Sequence, residues 1–179
     1  MKEDQVIQLT PFGLQDFSRL ISWIGSPEEL VQWAGPRLFT YPLDITQLTV
    51  HQYETLGQAP RSRIYKALAE DGRVIGHVEF GGIDARDGMA TLCRVMVAPE
   101  ERGKGLCLPM VRGGLKLGFE ELHFRRIELN VYSFNLNALA CYQRAGFVRE
   151  GLARKTVQVG DQFWDTVTMA ILKEEWNEN

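Results

Sequence analysis

The segment Arg102-Gly103-Lys104-Gly105-Leu106-Cys107 lies between a β-branched run ending at Val97-Ala98-Pro99 and a long stretch of helical periodicity. A strand that passes through a glycine turn directly into a helix commits the chain to an architecture mixing both elements, and it builds an anion site at the junction. The first N–H groups of a helix have no intrahelical partner and carry the positive end of its dipole, while glycines let an anion approach the backbone closely. Arg102 and Lys104 add mobile positive charge. Two familiar phosphate motifs do not fit. No Ser or Thr follows the Gly-Lys pair as a P-loop requires, and Leu108 stands where a dinucleotide fingerprint wants its third glycine. Neither ATP nor a nicotinamide dinucleotide is favoured.

A second segment runs Asn135-Leu136-Asn137-Ala138-Leu139-Ala140-Cys141-Tyr142-Gln143-Arg144-Ala145-Gly146-Phe147. Taken alone it is a helix: Asn135 or Asn137 caps it, Ala138, Cys141, Tyr142 and Ala145 form one stripe, and Gly146 ends it. The two segments together resemble the GNAT N-acetyltransferase superfamily. Its pyrophosphate loop reads Gln or Arg, two residues, Gly, one residue, then Gly or Ala, and its later helix reads N-x-x-A-x-x-x-Y-x-x-x-G-F. The second pattern matches at every specified position; in the first, Cys107 replaces the last small residue. The likeness extends over roughly Arg73 to Leu172 and is similar to the branch that acetylates ribosomal-protein N-termini and to many small-amine modifiers.

With 179 residues, 45% of them hydrophobic, the chain can bury a full core as one domain over 1–179. A net charge of -3 with scattered cations disfavours electrostatic capture of nucleic acid. Cys93, Cys107 and Cys141 are odd in number, lack C-x-x-C spacing and sit in apolar contexts, which reads as reduced thiols without a metal site. Met1-Lys2-Glu3-Asp4 opens no apolar signal core, and no apolar stretch approaches the ~18 residues of a membrane span. A cytoplasmic setting without a membrane partner follows as the expectation.

Periodicity predicts a strand at Val6 to Leu9, helices at Phe12 to Ile24, Glu28 to Ala34 and Asp44 to Leu56, and a hairpin of Ile64 to Ala69 with Val74 to Phe80. A strand at Thr91 to Val97 leads into a helix from Leu106 to Leu122, in which Gly113, Gly114 and Gly118 each cost about 1 kcal/mol against Ala. A strand at Ile127 to Val131, the Asn135 helix, and a hairpin of Gly151 to Val159 with Trp164 to Leu172 complete the series. This order agrees with the single-domain α+β fold that the resemblance implies, a mostly antiparallel mixed sheet flanked by helices.

The resemblance also implies a chemistry, transfer of an acetyl group from acetyl-CoA to a primary amine, on a small molecule or a peptide N-terminus, with no metal. Backbone groups of Val95, Met96 and Val97 would hold the pantetheine arm and face the thioester carbonyl. The diphosphate would lie on Arg102, Gly103, Lys104, Gly105, Leu106, Cys107 and Leu108, and Asn135 would bond the pantetheine arm. Tyr142 occupies the place of the general acid. The place of the glutamate base is taken by Asn130, and an amide cannot accept that proton. Glu128, or Glu79 beside His77, could act through water, with Glu79 the expected contributor to amine activation or acceptor orientation. Arg94 meets an anionic group of the acceptor or snorkels. Trp23, Trp33, Phe39, Tyr41, Phe163 and Trp164 fall in the acceptor-selecting regions or serve as core or homodimer contacts. A module that binds acyl-CoA without turnover is the alternative.

Overall fold

A computed structural model describes residues 7–176; Val6 and the opening tetrapeptide lie outside them. In chain order the elements are β1 (Gln8–Pro11), α1 (Phe17–Ser22), α2 (Pro27–Ala34), α3 (Ile45–Gln52), β2 (Arg63–Leu68), β3 (Val74–Asp84), β4 (Met89–Val97), α4 (Cys107–Lys116), β5 (Arg126–Tyr132), α5 (Leu136–Arg144), β6 (Val148–Val159) and β7 (Gln162–Leu172). The strands form one sheet in the order β1-β2-β3-β4-β5-β7-β6. All neighbours are antiparallel except β4 and β5.

Two helix layers cover this sheet. One core joins Val78, Phe80, Ala90, Leu92, Ile127 and Leu129 to Met110 and Leu115 of α4 and to Cys141 and Tyr142 of α5. The other joins Phe17, Leu20, Leu30 and Leu48 of α1, α2 and α3 to Ile64 and Met96. Side chains alternate between faces along a strand, so Leu92 and Met96, four residues apart, should enter the same core. They enter different ones because β4 bulges: His77 pairs with Met96 while Glu79 pairs with Cys93, so three steps on β4 oppose two on β3. Arg94 sits in the bulge with φ +50, in the left-handed region.

Local rules explain most boundaries. Ser26 and Asp44 cap α2 and α3 by accepting from the N–H groups of Glu29 and Gln47 at 3.2 and 2.8 Å. Glycines that looked costly in α4 and beyond it let the helix approach the sheet. A Cβ at Gly118 would lie 2.6 Å from Ile127 Cδ1, and one at Gly114 would touch Leu92 and Val78 at 3.7 Å.

Three expectations change. The helix from Phe12 is shorter, because Leu14–Asp16 forms a 3-10 turn before α1; Asp16 turns inward to pair with Lys66 at 3.0 Å, which leaves Leu14 exposed. The helix to Leu122 ends as α4 at Lys116 and continues as a wider π turn over Leu117–Glu121. Cys107 and Cys141 are disulfide-bonded, with Cα atoms 6.4 Å apart, and Cys93 is the free cysteine among the described residues. Spacing along the chain could not show this pair, since it depends on α4 and α5 lying side by side. The bond removes the support that reduced thiols gave to a cytoplasmic setting.

Candidate active site

β4 and β5 pair only at Met89, Ala90 and Thr91 with Arg126, Ile127 and Glu128. Beyond Thr91 the bulge turns β4 away, the strands part, and backbone groups that a continuous sheet would consume are left without a β5 partner. A cavity of about 340 Å³ opens in the gap, lined by Cys93, Arg94 and Val95 from β4, Asn130, Val131 and Tyr132 from β5, Tyr142 from α5 and Thr166 from β7. A second cavity of about 630 Å³ adjoins it and shares Trp33, Val95, Val97, Cys107, Asn135 and Ala138.

The larger cavity follows the glycine loop. Val95, Met96, Val97, Arg102, Gly103, Gly105, Leu106, Cys107 and Asn135 all line it. Gly103 and Gly105 have φ +77 and +80, and a Cβ on either would meet nothing within 4 Å, so the loop is left-handed twice and open above both glycines. That conformation strongly favours glycine, and loops of this kind form concavities of successive N–H groups suited to an anion. Two loop residues do other work. Lys104 Nζ lies 2.9 Å from Glu101 Oε2, and Leu108 packs against the core. Pro109, the third residue of α4, falls among the positions whose N–H would be unsatisfied anyway.

Asn135 caps α5, its side chain accepting from Ala138 N–H at 3.2 Å, and it lines both cavities. Tyr142 is buried beneath the smaller cavity with its ring edge-on to Phe147. Burial, and secondarily the Cys93 sulfur, push its phenol above the usual range, so the hydroxyl stays protonated. Asn130 lines the same cavity, its Oδ1 accepting from Thr168 Oγ1 at 2.9 Å. Glu128 is turned to Arg126 at 3.4 Å.

Glu79 lines neither cavity. It is fully buried, and its carboxylate accepts from Arg94 Nε at 2.6 Å, from Arg94 Nη2, and from His51 Nε2 at 3.0 Å. Burial alone would raise its pKa; the hydrogen bonds from Arg94 and His51 overcome this and hold it at about 2. Amine activation by Glu79 would therefore have to run through Arg94. The left-handed backbone at Arg94 is pinned by its carbonyl, which accepts from Trp33 Nε1 at 2.9 Å and His77 Nδ1 at 2.8 Å. His77 is itself buried, and desolvation lowers its pKa to about 4 despite the opposing pull of Glu79.

Both shifts give stability the same pH sign. Unfolded His77 and Glu79 take up protons below about pH 6.5 and 4.3 respectively, while the folded groups resist until about pH 4 and 2. Their stabilising contribution is complete above about pH 6.5 and declines as the pH falls through those windows. Urea unfolding at pH 7 and pH 5 should show a loss of roughly 1–2 kcal/mol, and His77→Gln should flatten the difference. A pH-independent stability over that range would contradict the assignment.

The Acetyltransferase (GNAT) family model matches residues 28–147. The chain belongs to this family. Among curated GNAT relatives, the SPbeta prophage-derived uncharacterized N-acetyltransferase YokL of Bacillus subtilis is 27% identical over 113 residues, 63% of each chain. The spermidine N(1)-acetyltransferase of Vibrio cholerae is 29% identical over 83 residues, 46% of this chain and 48% of that one. The chain thus spans less than two thirds of the length of these relatives. The fold matches the crystal structure of spermidine N-acetyltransferase from Vibrio cholerae in complex with CoA and spermine with a TM-score of 0.82, at 20% identity, over 94% of this chain and 96% of that one. No helix among the described residues is long and apolar enough to cross a membrane, and no group of three or more His, Cys, Asp or Glu there could hold a metal ion.

Proposed function

We propose that this GNAT protein transfers the acetyl group of acetyl-CoA to a primary amine, with the acetyl donor in the larger cavity and the amine in the smaller. The observation that carries the reading is the junction of the two cavities at Val95 and Val97, where β4 has lost its β5 partner between the glycine loop and Tyr142. N–H groups freed by the split supply donors for the thioester carbonyl as it becomes an oxyanion. The helix entrance at 102–108 takes the diphosphate, Asn135 the pantetheine arm, and Tyr142 offers its proton to the departing thiolate.

Among the described residues no carboxylate lines the smaller cavity, so deprotonation of the amine is left largely to solvent. An α-amino group near pKa ~8 is neutral at pH 7 far more often than a lysine near ~10.4, which favours an N-terminal or similarly acidic amine. A homodimer belongs to the same reading: β6 ends the sheet, and Leu152 and Phe163 of the closing hairpin are exposed. The rival reading, an acyl-CoA-binding module without turnover, is favoured by Asn130 at the base position and by the sealed Glu79.

Titration with acetyl-CoA should raise the melting temperature in both readings, because a ligand that binds only the native state stabilises by mass action. Release of free CoA thiol on adding amines separates them. Thiol release with peptide N-termini or small amines is expected; acetyl-CoA binding without release from any amine would support the module.

A further inference from the structure

Arg94 is the one charged residue lining the smaller cavity among the described residues. A guanidinium has five N–H donors, and Glu79 takes two of them, from Nε and Nη2. The others have no protein partner among the described residues, and the side chain keeps 14% of its surface exposed. The group is held unusually firmly for a cation at a cavity wall. Glu79 grips one edge, His51 fixes Glu79, and Trp33 and His77 clamp the Arg94 carbonyl.

The carboxylates nearest the connected cavities are already engaged. Glu29 accepts from Gly25 N–H at 2.7 Å, and Glu101 pairs with Lys104 and Arg73. A polycation entering the smaller cavity would meet Arg94 and find no free carboxylate. An anion would find a preorganised donor edge, the arrangement that recognises carboxylates by two parallel hydrogen bonds.

We propose that Arg94 is the specificity residue of the acceptor site and that the acceptor is an amine bearing a carboxylate close to its reacting nitrogen, which rests on the acetyltransferase reading above. Glu79 and His51 are positioning residues that present the free edge of Arg94. Two sources share this chemistry, a free amino acid and a peptide whose N-terminal region carries an acidic side chain.

The test is kcat/KM by thiol release over a matched panel: free amino acids and their amides, N-terminal peptides with Asp or Asn at the first two positions, and spermidine. Carboxylate-bearing amines should exceed their amides by about 10- to 100-fold, and Arg94→Gln should erase that preference. Preference confined to free amino acids identifies the small acceptor, and preference confined to Asp-containing peptides identifies the peptide. Since removing Arg94 leaves Glu79 buried without its partner, Arg94→Lys serves as the second variant, retaining the charge but losing the bidentate edge. Acetyl-CoA titration of each variant confirms an intact donor site and so separates failure of this proposal from failure of the transferase reading. Equal rates on acids and amides, a preference for spermidine, or a preference unchanged in both variants that still bind acetyl-CoA would overturn it.

Discussion

Replacing Tyr142 by Phe should lower turnover by about 10²–10⁴-fold while changing acetyl-CoA affinity by less than about twofold. The substitution keeps the ring that packs edge-on to Phe147 and removes only the hydroxyl. Tyr142 lines the smaller cavity, and burial keeps its proton in place, so the group is a ready donor at any working pH. That burial also makes it a weaker acid than a free phenol. In the proposed role its hydrogen bond to the CoA sulfur would strengthen as negative charge develops, and the wild-type rate should show no falling limb from this group below about pH 10. A purely structural Tyr142 gives another result: a small stability loss and turnover within about twofold, well under ~1 kcal/mol of barrier. Single-turnover thiol release, measured beside acetyl-CoA titration, distinguishes the two.

Gly105→Asp should weaken acetyl-CoA binding by about 30-fold or more with the fold retained. Two effects add. At φ +80 any L side chain is strained by roughly 1–2 kcal/mol, and a carboxylate placed over the loop repels the diphosphate by about 1–4 kcal/mol at the dielectric of a partly open site. Nothing lies within 4 Å of a Cβ there, so no steric clash with the protein contributes. Gly105→Ala carries the strain without the charge and should lose only about 10-fold. Isothermal titration of both variants against acetyl-CoA apportions the loss; undiminished binding by a folded Gly105→Asp would move the diphosphate elsewhere. Arg102→Ala should cost less, since an exposed cation is screened by salt.

Residues that act through their own backbone or their immediate neighbours were legible in the chain. The glycine loop at 102–107, the Asn135 cap and the hairpin of Gly151 to Val159 with Trp164 to Leu172 depend on rules spanning a few residues, and each appears where periodicity and turn chemistry put it. The family resemblance extended that reach to Tyr142, which composition and spacing leave as an ordinary core aromatic. His51 gave no signal at all: a histidine in a polar helix becomes one arm of a buried ion cluster only when α3 is laid across β3.

The contacts that shape the smaller cavity belong to tertiary structure for the same reason. Glu79 was expected to act at the amine because strand alternation does not say whether both faces of a sheet are covered, and here they are. Period two would put Leu92 and Met96 on one face because it assumes no bulge, and the extra residue at Arg94 is invisible until β3 pairs with β4. The Cys107–Cys141 bond required two helices to pack at a particular height. Short-range stereochemistry, written in every three to five residues, determined the elements and the glycine loop. Which faces were buried, which charges met and where the sheet opened were decided by contacts between residues tens of positions apart, because the energy of burying a group depends on everything that surrounds it.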